Sequence, residues 1–322
     1  MTGNSELLEV NQLKKYFPYR MGVFKKAHIK AVDDVSFVLK EGETLGLVGE
    51  SGCGKSTTAR AIQRLIEPTG GRILFQGMDI CSLKRRELRQ VRKEMQMIYQ
   101  DPYASLDPRM RIETIVGEPL EVHHVARGKE KEDRVRDLLQ KVGLKSEHMR
   151  SYPNELSGGQ RQRVGIARAL ALHPKLIVAD EPVSSLDVSV QAQVLNLLKE
   201  LQTQFGLSYL FISHDLGVVA HVSDRIAVMY LGRIVELARD EELYFNPLHP
   251  YTKALFSAAP VVDRSARRKR ILLRGEIPSI LAPPRGCSFH MRCGEKRKVC
   301  EMKEPEFRDV GQGHFVACHL FE

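Results

Sequence analysis

A glycine-rich segment between an apolar run and a helical pattern constrains the fold of this chain most strongly. It follows the run 45–48 and has the spacing G-x-x-x-x-G-K-[ST], as Gly49-Glu50-Ser51-Gly52-Cys53-Gly54-Lys55-Ser56-Thr57. Glycines let backbone N–H groups turn inward around a phosphate, and a helix N-terminus adds partial positive charge. Here Lys55 would reach the β- and γ-phosphates of a nucleotide, and the Ser56 hydroxyl would bind Mg²⁺. The segment therefore predicts an α/β fold with a nucleotide site.

Four short apolar runs each end at residues suited to nucleotide chemistry. They are residues 45–48 before the glycine segment, 97–99 before Gln100, 176–179 before Asp180, and 209–212 before Ser213 and His214. Short continuous runs are typical of strands buried on both faces of a largely parallel sheet, whose ligands lie beyond the carboxyl ends of the strands. Periodicity and turn signals also predict strand-rich segments over 6–17 and 31–50, the second with a turn at 41–43, a hairpin at 70–77, and helices over 82–94 and 130–142.

Two adjacent carboxylates, Asp180 and Glu181, follow the third run. The side chains of neighbouring residues in a strand point to opposite sides, so these two carboxylates can have different roles. By itself such a pair is an ordinary turn at the end of a strand. In a chain that also carries the phosphate segment, we predict that Asp180 holds Mg²⁺ through water. Glu181 would then polarise the attacking water as general base.

A further motif, Leu156-Ser157-Gly158-Gly159-Gln160, precedes a helical pattern over 161–172, and Ser185-Leu186-Asp187 follows the carboxylate pair. With these motifs in this order, the chain resembles the nucleotide-binding subunits of ABC transporters over about residues 6–240. The resemblance implies an α/β P-loop NTPase core with a mixed, largely parallel sheet and an antiparallel β subdomain. It also implies a helical signature subdomain at about 101–165. We expect an ATPase domain over 1–240 and a small, irregular, metal-binding extension over 241–322.

The resemblance also implies a role for each motif residue. Tyr16 or Phe17 would stack on adenine, Gln100 would contact Mg²⁺ and the attacking water, and His214 would bond the γ-phosphate. Asp187 would lie at the seam between two ATPase subunits. The remaining contacts would be made to an ATP held by the opposite subunit, through Ser157, Gly158, Gly159 and Gln160.

The segment after residue 240 carries a second resemblance. Asn246-Pro247-Leu248-His249-Pro250-Tyr251-Thr252, Pro283-Pro284 and the cysteine-containing tail resemble a region that follows the ATPase domain in oligopeptide, dipeptide and nickel importers. Without the preceding motifs, we would interpret the segment as a Pro-rich linker and a helix. The resemblance implies a second homologous ATPase subunit, two integral membrane permease subunits and an external solute-binding protein. Peptide is the expected solute, with nickel or another solute as the alternative.

Four of the six cysteines fall in the tail, with spacings C-x₅-C-x₆-C-x₁₇-C. Zinc sites usually have a pair of cysteines separated by two to four residues, and this tail has no such pair. Wider loops between four thiolates suit a [4Fe–4S] cluster, which the importer family also has. The alternatives are zinc, with His290, His314 or His319 as a substitute ligand, and free thiols. The predicted cluster ligands are Cys287, Cys293, Cys300 and Cys318.

The chain has 49 Lys and Arg against 40 Asp and Glu, a formal net charge of +9. This charge and the basic run 267–270 allow an alternative, an ABC-type ATPase that acts on nucleic acid. The basic residues lie in short, scattered runs, so we expect a solvated basic surface and no nucleic-acid partner. No apolar run has the roughly 18 residues of a membrane span. We therefore expect a peripheral protein at the cytoplasmic face of the membrane.

Overall fold

The computed structural model describes residues 5–21, 25–258, 271–273, 275–281 and 283–322. The chain divides into two compact units. We call the first the helical unit; its described residues are Ser5, 40–43 and 82–212. We call the second the phosphate-loop unit, and it is drawn from residues 6–39, 44–81 and 213–322. The basic run 267–270 lies outside the described residues.

The helical unit contains five helices and the three strands of a parallel sheet. Its elements, in chain order, are α2 (Arg85–Glu94), β6 (Met95–Ile98), α3 (Ile112–Val122), α4 (Gly128–Lys141), α5 (Gly158–Leu170), β7 (Leu176–Asp180), α6 (Val188–Phe205) and β8 (Ser208–Ser213). Two 3₁₀ turns, Ser146–Arg150 and Pro153–Glu155, precede α5. Strand β7 pairs in parallel with β6 on one side and with β8 on the other.

Burial explains why these runs form strands and helices. Every residue of β7 and β8 is buried, as expected for central strands of a parallel sheet. In α4 the buried side chains are Val135, Leu138 and Leu139, which share one face at helical spacing. The predicted helices over 82–94 and 130–142 are confirmed as α2 and α4, with boundaries shifted by a few residues.

The phosphate-loop unit contains two sheets. Its elements before the helical unit are β1 (Glu6–Met21), β2 (Lys25–Lys40), β3 (Thr44–Val48), α1 (Lys55–Ile62), β4 (Gly70–Phe75) and β5 (Met78–Asp79). Those after it are α7 (Leu216–Val222), β9 (Arg225–Tyr230), β10 (Arg233–Arg239), α8 (Asp240–Phe245), α9 (Pro250–Ser257), α10 (Val299–Met302), β11 (Phe307–Asp309) and β12 (Phe315–Ala317).

One sheet of this unit has the order β2-β1-β4-β5, and β4 pairs antiparallel with both β1 and β5. In the other sheet β3 is parallel to β9, while β9, β10, β12 and β11 follow one another in antiparallel pairs. The last hairpin, β11–β12, adds to the edge of β10, where Glu236 lies opposite Val316. The tail therefore extends a sheet of the nucleotide-binding core.

The predicted strands are confirmed. The segment 31–50 contributes to two strands, and the predicted turn at 41–43 is found at 41–42, where it separates β2 from β3. The predicted hairpin at 70–77 forms as β4 and β5. The mixed sheet, the antiparallel β sheet and the helices around the signature motif agree with the expected fold class. None of the described helices combines the length and apolar character needed to cross a membrane.

Candidate nucleotide site

The glycine segment forms the loop between β3 and α1. Two of its glycines are required by close backbone contacts. A Cβ on Gly49 would lie 2.2 Å from the carbonyl oxygen of Met229, and one on Gly54 would lie 2.1 Å from that of Ala31. Gly54 also has a φ of 110°, which side-chain-bearing residues rarely adopt. The loop can therefore take this path only with glycine at both positions.

Lys55 begins α1 and lies within the loop. Its side chain is 5% exposed, and its Nζ donates hydrogen bonds to the carbonyl oxygens of Gly49 at 2.8 Å and Glu50 at 3.1 Å. The ammonium group is thus held inside the turn, where a phosphate can replace the carbonyl oxygens as its partner. Ser56 and Thr57 follow in the first turn of α1. Burial raises the pKa of the Cys53 thiol, which keeps this loop cysteine neutral.

The carboxylate pair lies in the helical unit, at the end of β7. Asp180 is 2% exposed. Glu181 has a φ of 46°, an unfavourable conformation for a residue with a side chain, and its N–H donates to the carbonyl oxygen of Ile212 at 2.9 Å. Gln100, beyond β6, donates from Nε2 to Glu181 Oε2 at 2.9 Å. The structure therefore brings together two residues that the sequence separates by 81 positions.

The signature motif forms the N-terminus of α5. Ser157 is the N-cap: its Oγ accepts the Gln160 N–H at 3.3 Å, and Gln160 Oε1 accepts the Ser157 N–H at 2.9 Å. Ser157 and Gly158 are exposed. A Cβ on Gly159 would lie 2.5 Å from Val190 Cγ1 of α6, so this position requires glycine for packing. The exposed helix N-terminus has the positive electrostatic character that an anion requires.

The other predicted residues occupy loop and strand positions. Asp187 is the exposed N-cap of α6 and accepts the Val190 N–H at 3.1 Å. His214 is exposed in the loop between β8 and α7. The Tyr16 hydroxyl donates to Asp33, and burial together with this bond raises the pKa of Tyr16 to about 12. Lys15 lies over the Phe17 ring, with 4.9 Å from its Nζ to the ring centroid.

The four tail cysteines do not form the predicted metal site. Within the described ranges, no group of three His, Cys, Asp or Glu side chains is placed to hold a metal ion, so the predicted iron–sulfur site is not confirmed. The thiols influence one another electrostatically, yet burial raises the pKa of Cys287 to about 11 and also raises those of Cys293 and Cys318. Ligation requires thiolates, and burial in this arrangement favours the protonated form.

The three histidines proposed as alternative zinc ligands form hydrogen bonds with other groups. His319 contacts Glu322 through Nδ1 at 2.5 Å and the carbonyl oxygen of Lys303 through Nε2 at 2.8 Å. His314 contacts Glu236 through Nε2 at 2.7 Å, and His290 contacts the carbonyl oxygen of Cys287 through Nδ1. The described structure therefore offers no assembled zinc site in the tail.

Sequence reasoning missed two residues that contact the phosphate loop. Arg292 and Tyr251, from the region after residue 240, both bond Glu50, the second residue of the glycine segment. Neither belongs to a nucleotide-binding motif, and Arg292 is separated from Glu50 by 242 positions. No local sequence signal identifies such contacts, since they arise only when the tail packs on the core.

Comparison with known proteins agrees with these features. A family model described as ABC transporter matches residues 32–184, and one described as the C-terminal region of oligopeptide/dipeptide transporters matches residues 235–300. The oligopeptide transport ATP-binding protein AppF of Bacillus subtilis is 56% identical over 98% of this chain and 97% of its own length. A probable peptide ABC transporter ATP-binding protein of Sinorhizobium fredii is 52% identical over 98% of this chain and 90% of its own length.

Solved structures show the same fold. A dimeric ATP-binding cassette in a post-hydrolysis state, bound to ADP and Pi, is 30% identical to this chain. The match covers 72% of this chain and 98% of the cassette, with a TM-score of 0.64. The cbiO1 protein of Clostridium perfringens, part of the cbiONQ ABC transporter complex, is 26% identical with a TM-score of 0.63. That match covers 76% of this chain and 92% of cbiO1.

Proposed function

The chain belongs to the family of ATP-binding proteins of oligopeptide ABC transporters, and from this premise we propose how its residues use ATP. It is the ATPase of a peptide importer and works with membrane permeases. The observation that carries the mechanism is the glycine loop between β3 and α1, with Lys55 held inside it. The roles of the individual residues in ATP hydrolysis are our proposal.

The phosphate loop binds ATP by exchanging internal hydrogen bonds for bonds to phosphate. Lys55 releases the carbonyl oxygens of Gly49 and Glu50 and takes phosphate oxygens as partners. The loop N–H groups and the N-terminus of α1 add further positive character on the same side. An aromatic side chain from β1, Tyr16 or Phe17, stacks on the adenine.

Oxygen donors suited to Mg²⁺ come from three of the predicted residues. A hydroxyl (Ser56), a carboxylate (Asp180) and an amide oxygen (Gln100) are the ligand types that this hard cation prefers. The donor chemistry fits the ion, and these residues would hold it. Its positive charge would offset the negative charge that develops on the phosphates.

Glu181 is the general base of hydrolysis, and Gln100 positions it. The 2.9 Å bond from Gln100 Nε2 orients the Glu181 carboxylate, which accepts a proton from the attacking water. The left-handed backbone conformation of Glu181 costs about 1–2 kcal/mol and fixes the direction of its side chain. His214 bonds the γ-phosphate and orients the attack.

Hydrolysis is proposed to need a second ATPase subunit. The exposed N-terminus of α5, with Ser157, Gly158 and Gly159, binds the γ-phosphate of an ATP held by that subunit, and Asp187 lies at the seam. ATP thereby joins two subunits, and its hydrolysis separates them. The ATP state must bind the closed dimer far more tightly than the ADP state for this cycle to do work.

Further proposals concern the partner proteins of this chain and its location in the cell. We propose a heterodimer with a related ATPase, two permease subunits, an external solute-binding protein and a location at the cytoplasmic face of the membrane. The extension over 241–322 is proposed to be a module added to the ATPase domain over 1–240. The relatives are named as ATP-binding proteins of peptide transport, which supports peptide rather than nickel as the solute.

An iron–sulfur cluster in the tail is supported by the cysteine sequence alone. The proposal requires Cys287, Cys293, Cys300 and Cys318 to bind as thiolates in one ligating group. Protein purified without oxygen should then be brown, absorb near 400 nm and contain iron and sulfide. Colourless protein without iron contradicts the proposal.

Substitution of Glu181 by Gln tests the mechanism. The variant keeps the shape of the side chain but cannot accept a proton, so we expect turnover to fall about 10²-fold or more. ATP binding, measured by equilibrium titration, should remain unchanged, because the phosphate loop is intact. Near-normal turnover would contradict the assignment of Glu181 as general base. Co-purification of membrane permeases with the tagged chain tests the partner proposal.

A further inference from the structure

We propose that the C-terminal extension is a working part of the nucleotide site, with Arg292 as a positioning residue for the phosphate loop. The inference rests on the proposed binding of ATP phosphates by that loop. Arg292 donates from Nη1 and Nη2 to the two carboxylate oxygens of Glu50, at 2.8 and 3.0 Å. Glu50 immediately follows Gly49, so the paired bonds act on the loop itself.

A second contact fixes the loop at the same residue. The Glu50 N–H donates to the hydroxyl oxygen of Tyr251 in α9, at 3.0 Å. The extension therefore holds both the side chain and the backbone of Glu50. A residue held at two independent points has few alternative positions, and its neighbours in the loop share that restriction.

Burial and paired geometry strengthen the interaction between Arg292 and Glu50. The Arg292 side chain is 7% exposed and that of Glu50 is 25% exposed, so water competes little for either. Two parallel N–H···O bonds between charged groups fix distance and direction together. The hydrogen bonds to Glu50 raise the pKa of Arg292 further above its ordinary value, so its charge is present at any working pH.

An aromatic cluster beneath the loop makes the extension a rigid support. Tyr230, at the end of β9, packs on Tyr251 and Phe289 with ring centroids 4.7 and 5.3 Å apart, and Tyr251 and Phe289 are 5.5 Å apart. All three rings are buried. The guanidinium carbon of Arg292 lies 5.9 Å from the centroid of Tyr230. Close packing of large rings leaves Arg292 little freedom to follow a moving loop.

These contacts imply that the extension keeps the phosphate loop in its binding conformation before ATP arrives. Apparent affinity falls in proportion to the fraction of molecules with the loop in that conformation. Loss of the paired bonds lowers that fraction, so ATP binds more weakly although no ATP contact has been removed. The extension thus contributes to ATP affinity through Glu50.

Equilibrium ATP binding by the full chain tests the proposal. For Arg292→Ala we expect a Kd for ATP about ten-fold higher than that of the wild type, measured below the melting temperatures of both proteins. Tyr251→Phe keeps the buried ring and removes only the hydroxyl that accepts the Glu50 N–H, and we expect a rise of about three-fold. The matched control is Lys296→Gln, which removes an exposed ion pair to Glu301 in the same tail and should bind ATP as the wild type does.

A double variant separates positioning from general destabilisation. Arg292 and Glu50 act through one contact, so Arg292→Ala with Glu50→Gln should raise the Kd no further than the larger single effect. Arg292→Lys, which keeps the charge but not the paired geometry, should recover part of the affinity.

The inference is overturned if folded Arg292→Ala and folded Tyr251→Phe both bind ATP with the Kd of the wild type. It is also overturned if the losses of binding free energy in the two single variants add up in the double variant. Failure of the proposed ATP site itself would look different. In that case the wild type would not bind ATP, and Lys55→Ala would make no difference to it.

Discussion

Acid should destabilise the extension through one buried histidine. His249 is 1% exposed and is the N-cap of α9, where its Nδ1 accepts the Tyr251 N–H at 3.1 Å. The ring can accept this bond only when Nδ1 carries no proton. Burial lowers the pKa of His249 from 6.5 to about 4, with Lys253 acting in the same direction and Glu236 opposing it. The folded protein therefore keeps this ring neutral at pH values where an exposed histidine is charged.

Linkage between protonation and folding gives the size of the effect. The unfolded chain takes up the proton near pH 6.5 and the folded chain near pH 4. Between these values the unfolded state binds more protons, so stability falls as the pH decreases. For His249 alone, these two pKa values correspond to a loss of about 2 kcal/mol between pH 8 and pH 5. The loss approaches about 3 kcal/mol once the folded form is also protonated.

Urea unfolding of His249→Asn beside the wild type measures this contribution. Asparagine retains an acceptor for the cap but does not titrate. Because the chain has no Trp, unfolding is followed by far-UV circular dichroism. Between pH 8 and pH 5 the wild type should lose about 2 kcal/mol more than the variant. Other titrating groups, Glu236 and Lys253 included, are present in both proteins and largely cancel. Equal losses of unfolding free energy in the wild type and in His249→Asn would refute the assignment of this pH dependence to His249.

Three further contacts are tested by substitution, one of them with a compensating variant. Gly54→Ala should abolish ATP binding in an equilibrium titration, because its Cβ would meet the Ala31 carbonyl oxygen at 2.1 Å; normal binding would contradict this account of the loop. Gly159→Ala places a Cβ 2.5 Å from Val190 Cγ1 and should cost about 1–3 kcal/mol in urea unfolding. Val190→Ala should restore that stability, and failure to do so would exclude the clash as the cause. Glu236→Leu removes the acceptor of the Leu248 and His249 N–H groups and the partner of His314 Nε2, and it should cost about 3–5 kcal/mol; a loss below about 1 kcal/mol would contradict it.

Local patterns predicted the strands and motifs of the core because each depends on neighbouring residues. The run 176–179 is apolar throughout, and it became the central strand β7, buried on both faces. Spacing alone placed Lys55 at the start of a helix, where the structure has it. The turn signal at 41–43 was also local, and the structure has its turn at 41–42, between β2 and β3.

The tail shows how far cysteine spacing carries as a sequence signal. Four cysteines with suitable spacing predicted a metal cluster, yet spacing says which ligands are available and not whether the chain folds them into one group. In the described tail, burial raises the pKa of the Cys287, Cys293 and Cys318 thiols, and no metal-holding group forms among the described residues. The histidines considered as substitutes had acquired other partners, such as Glu236 for His314.

The sequence by itself determined the motifs of this protein: a glycine loop, an adjacent pair of carboxylates and a signature motif. These depend on residue type and short spacing, which the chain carries locally. Only the tertiary structure decided that Gln100 meets Glu181 and that Arg292 holds Glu50, 242 positions away. Such contacts form only when folding brings distant segments of the chain together, and that is a property of the packed chain.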